Sequence, residues 1–474
     1  MILKFFITTV AVITLSFLCP AQSLKKITGT WEGVLVIGVE LRIVFNIKTD
    51  GKNGLITTVD SPDQSAYGIK CDTTFISNDT ITIEMKNLRA TYVGKVLSDS
   101  TIEGLFTQIG PVTLELKKVE KASVKKKSQV PIPPFPYISE DILYYNVDKS
   151  LQFGGTITIP NGKGPFPAAL LITGSGPQNR DEEIMGHKPF AVIADYLTRQ
   201  GFIVLRVDDR GIDNSTGLFS TATSVDFTKD VNVGVDYLLK RHEVDKTKVG
   251  LIGHSEGGMI APIVASERED VSFVVLLAGP GVKIIELMSQ QNAAILRSMG
   301  ISKKTINDYL PFYKKLMTRI AEANDTTAAL SIAKETLNNW VASTKNKTLK
   351  ELNFELEENR EKMIISTVQT LSSPWFKYFL SFDPVPYLEK LNCKVLALNG
   401  EKDIQVVSKQ NLPGIKKALK RSKSDLYEIK ELPGLNHLFQ TCKKCTVQEY
   451  GELEETFSPS ALKIMGDWLI KNVK

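Results

Sequence analysis

Cysteine and histidine are both scarce: the chain of 474 residues has five of the first and four of the second. One cysteine, Cys19, lies in the apolar N-terminal segment, and the other four are Cys71, Cys393, Cys442 and Cys445. Four cysteines in a chain this long do not make a disulfide scaffold. Cys442 and Cys445 form a C-x-x-C, but no second pair exists to complete a zinc site, so a local disulfide or two idle thiols is expected there. An excess of one charge is missing as well. The 58 Lys and Arg against 53 Asp and Glu leave a net charge of +5, spread along the chain apart from one lysine run. No basic stripe argues for nucleic acid. Beyond the N-terminus no apolar run is long enough for a transmembrane helix, so no integral membrane segment is expected in the mature chain.

What is present is the composition of a soluble globular protein, 42% hydrophobic and 23% charged, over a length that suggests two or three domains. Lys4 precedes an apolar run from Phe5 to Leu18, and Pro20, Ala21, Gln22 and Ser23 follow. This reads as a signal peptide over residues 1–21, cleaved after Ala21, which makes the protein exported, either periplasmic or secreted. A lipid-anchored Cys19 is disfavoured by bulky Phe17 and Leu18.

Residues 24–118 read as a small antiparallel β-domain. Leu41, Ile43, Phe45 and Ile47 alternate, as do Ile81, Ile83 and Met85, and then Val112, Leu114 and Leu116, with Asp50-Gly51 as a turn. Residues 119–139 form a Lys- and Pro-rich linker, since proline removes backbone donors and favours extended chain. From 140 to 474 apolar strands alternate with helices of 3.6-residue period, which implies a parallel sheet covered on both faces. The strands are Ala168–Thr173, Phe202–Val207, Lys248–Ile252, Val271–Ala278, Lys394–Leu398 and Asp425–Glu428. Between about 283 and 385 the alternation stops, and a polar stretch with Tyr309, Phe312, Leu316 and Ile320 at helical spacing reads as a helical cap.

Gly253-His254-Ser255-Glu256-Gly257 is a G-x-S-x-G between a strand and a helix. In that context the glycines permit the strained turn of a nucleophile elbow, which lifts the Ser255 hydroxyl above the sheet. A serine needs a base, and four histidines are available. His254 adjoins Ser255 and should point away from its hydroxyl. His242 lies at the far end of a helix. His187 sits in a loop that could border the pocket. His437, in a loop after the last strand, can reach back over the sheet. The base needs an acid to fix its tautomer. Asp403, after the strand at 396 and a Gly turn, follows the order serine, acid, histidine, with Glu401 as runner-up. The oxyanion requires two backbone donors. The amide of Glu256 is one; the loop Gly174-Ser-Gly-Pro177 supplies the other, with Ser175 preferred over Gly174 and Gly176.

Gly174-Ser-Gly-Pro-Gln-Asn-Arg-Asp-Glu182, Asp208-Asp-Arg-Gly211, Gly253-His-Ser-Glu-Gly257, Asn399-Gly-Glu-Lys-Asp403 and Asn436-His-Leu-Phe439 occur in order. Together they resemble a subgroup of bacterial α/β-hydrolases known as esterases, across nearly all of residues 140–474. Trp31-Glu-Gly33 and Asp60-Ser-Pro-Asp-Gln64 resemble the β-domain found in front of such enzymes. Two positions depart from the pattern: Thr173 stands where relatives commonly have His, and Asp213 where they have a second Gly. The resemblance implies an α/β-hydrolase sheet with a cap insertion and a serine esterase that acts on a small-molecule ester and requires no metal or organic cofactor. A serine peptidase of the prolyl-oligopeptidase or aminopeptidase type is the alternative, because the same site cleaves amides. A non-catalytic binding protein on this fold is the second. Arg180, Asp181 and Glu182 are expected in structural ion pairs, as are Asp209 with Arg210, and the cap with Trp375 is expected to shape the pocket.

Overall fold

A computed structural model describes residues 27–474 apart from 37–39, 52–53, 63–65, 89, 109 and 121–126. The expected signal peptide, Cys19 and part of the linker lie outside the described residues. The chain forms two units, Met1–Lys125 and Lys126–Lys474.

The first unit is one antiparallel sheet of nine strands: β1 (Gly29–Val36), β2 (Glu40–Thr49), β3 (Leu55–Ser61), β4 (Ala66–Lys70), β5 (Thr73–Ser77), β6 (Thr80–Met85), β7 (Ala90–Ser98), β8 (Thr101–Thr107) and β9 (Pro111–Val119). Their order is β4-β3-β2-β1-β9-β8-β7-β6-β5. Period-2 alternation puts Ile43, Phe45 and Ile47, then Ile81, Ile83 and Met85, then Leu114 and Leu116 into one core around Trp31 and Tyr92. At the Asp50-Gly51 turn the Asp50 amide donates to the Gly54 carbonyl at 3.0 Å, and the Asp50 carboxylate accepts the Gly54 amide at 2.8 Å. The sheet curls, so that β5 returns to β3: Thr74 Oγ1 is 2.8 Å from Thr57 Oγ1, and the Cys71 amide donates to the Thr57 carbonyl at 3.0 Å.

The second unit is built on eight strands: β10 (Tyr137–Tyr145), β11 (Gln152–Pro160), β12 (Phe166–Ile172), β13 (Ile203–Val207), β14 (Val244–His254), β15 (Val271–Leu277), β16 (Lys394–Gly400) and β17 (Tyr427–Leu432). Their order is β10-β11-β13-β12-β14-β15-β16-β17. β10 and β11 form an antiparallel hairpin, β11 meets β13 antiparallel, and every later pair is parallel. β17 starts two residues later than the expected strand at 425 and runs to Leu432, being an edge strand with little burial to mark it.

The helices are α1 (Pro189–Arg199), α2 (Ser224–Lys240), α3 (Gly257–Glu267), α4 (Ile284–Ser298), α5 (Lys303–Ala321), α6 (Thr326–Ser343), α7 (Asn346–Glu351), α8 (Glu357–Leu371), α9 (Pro374–Ser381), α10 (Val385–Leu388), α11 (Ser408–Leu419) and α12 (Pro459–Asn472). α1 and α12 cover one face of the sheet through Phe190, Ile193, Leu197, Leu462 and Met465. α2 and α11 cover the other through Val235, Leu238, Ile415 and Leu419. With both faces covered, the parallel strands are continuously apolar rather than alternating. α4 to α10 fill the interval between β15 and β16, and Tyr309, Phe312, Leu316 and Ile320 of α5 centre a separate core there. The second unit is an α/β-hydrolase sheet with a helical insertion, and the first an antiparallel β-domain before it.

Candidate active site

β14 runs into Gly253 and His254, and α3 leaves from Gly257, so Ser255 occupies the turn between them with φ +52°. That left-handed conformation is costly for a residue with a Cβ and is maintained because its surroundings fix it. The turn is tight because two glycines allow it. A Cβ on Gly253 would lie 2.0 Å from the Gly257 carbonyl oxygen, and one on Gly257 would lie 2.1 Å from that of Ile172. Gly257→Ala is therefore expected to cost about 1–3 kcal/mol in stability through overpacking, with activity falling as β12 is pushed from the elbow. A shift in the denaturant midpoint measures it.

His437 lies five residues past the end of β17. Its loop is locked by Asn436, whose side-chain oxygen accepts the amides of Leu438 (3.0 Å) and Gln440 (2.9 Å). Asp403 lies three residues past β16 and is buried. One carboxylate oxygen accepts the amides of Gln405 (2.8 Å) and Val406 (2.9 Å), and the other is 2.8 Å from His437 Nδ1. Nδ1 thus carries the hydrogen and Nε2 keeps a lone pair. Ser255 and His437 line one cavity of about 260 Å³ together with Ser175, Glu256, Trp375, Phe376 and Phe379.

The loop after β12 completes the cavity. Among the described residues the amides of Ser175 and Glu256 donate to no acceptor. The Gly174 amide is committed to Glu182 Oε1 at 2.6 Å. Thr173, the first departure from the family pattern, donates to Asp209 at 2.7 Å, and Asp209 also accepts the Gln178 amide at 2.9 Å. Burial pushes the Asp209 carboxyl well above the usual range, the Thr173 and Gln178 hydrogen bonds opposing it. At the second departure Asp213 takes φ +42°, the conformation a glycine would adopt without cost.

Two expectations need correction. His187 does not border this cavity. It is fully buried between Thr456 Oγ1 (2.9 Å) and the Tyr450 carbonyl (2.8 Å), and burial lowers its pKa to about 4. Asp209 does not pair with Arg210, which instead binds Asp230 at 2.6 Å across a turn of chain that brings α2 close. The ion pairing expected of Arg180, Asp181 and Glu182 is present: Arg180 pairs with Asp208 and Asp141, Asp181 with Arg206 and Lys188, and Glu182 meets His254 Nδ1 at 2.9 Å. Glu401 is directed away, accepting the exposed Gly434 amide at 3.1 Å.

Sequence reading passed over the Glu256 side chain. Its carboxyl accepts from Ser224 (2.6 Å) and from the Trp375 indole (2.8 Å), which fastens α9 of the cap to the residue after the nucleophile. Burial raises its pKa, opposed by hydrogen bonds from Ser224, Trp375 and Ser175. No sequence pattern flagged this bond, because its partners are 119 residues apart.

Among the described residues one cluster has metal-ligand chemistry, Cys442, Cys445 and Glu449. The two cysteines are bridged, so they offer no thiolates, and Glu449 accepts the amides of Lys443, Lys444 and Cys445. No described helix is long and apolar enough to cross a membrane.

Residues 187–357 match the family described as serine aminopeptidase, S33. Over 162 residues the chain is 36% identical to esterase EstD of Thermotoga maritima, covering 34% of this chain and 38% of that relative. The match therefore spans well under half of the curated relative. Among solved structures, the Pyrococcus furiosus esterase Pf2001 aligns at 13% identity with a TM-score of 0.43, covering 74% of this chain and 99% of that one. Est1E of Butyrivibrio proteoclasticus, with ferulic acid bound, aligns at 14% with a TM-score of 0.39, covering 70% and 99%. The family match and the esterase relative support the α/β-hydrolase superfamily.

Proposed function

We propose that this chain is a serine hydrolase that cleaves carboxylic esters of small molecules through an acyl-enzyme. The observation that carries the reading is the meeting of a left-handed Ser255 with the Asp403–His437 pair, 2.8 Å apart, on one cavity. Ser255 Oγ attacks the acyl carbon as His437 Nε2 takes its proton, and Asp403 stabilises the imidazolium that forms. The amides of Ser175 and Glu256 hold the developing oxyanion. His437 then protonates the leaving alcohol, and water, activated by the same base, releases the acid. Each step uses protein groups alone, with no call on a metal or organic cofactor.

The cavity lining contains no Lys or Arg, and Trp375, Phe376, Phe379, Leu287 and Met288 make one wall apolar. This suits a compact, uncharged acyl group. Export to the periplasm or beyond is part of the proposal, and the Cys442–Cys445 bridge is consistent with an oxidising compartment.

The matched family's description favours a second reading, an aminopeptidase. An α-amine needs a free carboxylate, and both carboxyls on the cavity are engaged, Glu182 with Gly174 and His254 and Glu256 with Ser224 and Trp375. Steady-state kinetics on p-nitrophenyl acetate and butyrate against aminoacyl p-nitroanilides separates the two. Faster hydrolysis of the esters is expected. Preference for the anilides would establish the peptidase, and no turnover of either, with Ser255 inert to a fluorophosphonate probe, would establish a non-catalytic binding protein.

A further inference from the structure

His254 Nδ1 is 2.9 Å from Glu182 Oε1, an oxygen that already accepts the Gly174 amide at 2.6 Å. His254 Nε2 is 3.0 Å from the main-chain carbonyl oxygen of His437. A carbonyl can only accept, and so can a carboxylate. Both ring nitrogens therefore have to donate, which requires two ring protons and a positive charge. Imidazole is also intrinsically the stronger base of such a pair. His254 and Glu182 are both buried, at 6% and 4% exposure, and each ring nitrogen already has its protein partner. Burial alone lowers the His254 pKa, but the Glu182 charge and hydrogen bond, with the His437 carbonyl and Asp403, outweigh it and leave it raised.

We propose that His254 is a buried imidazolium clamped between Glu182 and the His437 carbonyl, and that this pair is the positioning unit that sets the oxyanion loop and the catalytic base together. The proposal rests on the esterase reading for its effect on turnover, but not for the charge itself. One oxygen of Glu182 orients the Gly174 amide, which fixes the peptide ahead of Ser175. The imidazolium, held by that oxygen, anchors the backbone of His437. The His254 and His437 rings lie 4.8 Å apart between centroids, so the clamp sits directly beside the base it anchors. Glu182 adopts φ +50°, a strained conformation at the one carboxylate that reaches both the loop and His254. The titratable groups facing His254 are Glu182, Asp403 and His437. From the remaining elements Pro189, Phe190 and Ile193 of α1, Leu277 of β15, and Leu438, Phe439 and Phe457 enclose the neighbouring space with apolar groups only.

The test combines one measurement on the intact protein with two variants. With ¹⁵N-labelled histidine in the full chain, four residues give ring signals, and the His254→Gln variant assigns one of them. Both His254 nitrogens should remain protonated at pH 7.5, without substrate. A single protonated nitrogen would overturn the proposal whatever the fate of the esterase reading, and that reading is tested separately by Ser255→Ala. In kinetics on p-nitrophenyl acetate, Glu182→Gln should lower kcat roughly 10- to 100-fold, equivalent to about 1.4–2.7 kcal/mol, with KM nearly unchanged. His254→Gln should likewise lower kcat with KM nearly unchanged. A folded Glu182→Gln or His254→Gln protein with normal kcat would show that the pair is structural filler.

Discussion

Ser255→Ala should reduce ester turnover by at least about 10³-fold and leave the fold unchanged. The hydroxyl has no neighbour that could replace it: the other serine on the cavity, Ser175, gives its hydroxyl to the Glu256 carboxyl. Alanine fits the site, because Ser255 already holds φ +52° with a Cβ in place, so the strain of the elbow is the same in both proteins. A thermal melt equal to the parent's, alongside the lost activity, separates a missing nucleophile from a damaged fold. Near-normal turnover in the variant would remove the proposed mechanism.

Asp403→Asn should cost about 10³- to 10⁴-fold in kcat, and the hydrogen bonds around it say why. One oxygen accepts the amides of Gln405 and Val406, a place only an acceptor can fill. The asparagine carbonyl takes that place, which turns its NH₂ toward His437 Nδ1. Nδ1 must then accept, so the hydrogen moves to Nε2, and the base faces Ser255 with its proton already on. Glu401→Gln should change kcat by less than about 3-fold, the scale of an exposed substitution, because Glu401 meets only the surface Gly434 amide and Lys402. A reversed pattern of losses would make Glu401 the acid.

The parts of this molecule that could be read from the chain are those written in neighbouring residues. The elbow was legible because Gly253, Ser255 and Gly257 sit at fixed spacing between an apolar strand and a helix. Asp403 and His437 were legible from their places after successive strands. The cap was visible as a break in the strand–helix rhythm, and α4 begins at Ile284 where that break was placed. The β-domain's alternation marked its strands, but their pairing into β4-β3-β2-β1-β9-β8-β7-β6-β5 depends on which edges meet, and alternation does not encode that. His187 misled because a histidine in a loop looks accessible. Its burial comes from Tyr450 and Thr456, more than 260 residues away. Glu182 was legible as an ion-pairing residue in a run of charges, but its partner was not, because His254 becomes adjacent only when β12 and β14 align side by side.

The indole of Trp375 ends on a carboxyl buried beside the nucleophile. The insertion and the sheet are therefore not modular pieces that evolution or an engineer can exchange independently. A transplanted cap without a donor at that point would leave the buried Glu256 carboxyl with Ser224 and Ser175 as its donors and the cap without this anchor. Diversification of substrate range should accordingly run through Leu287, Met288 and Phe376, lining residues that take no part in that bond and can change size without unhooking the cap from its anchor.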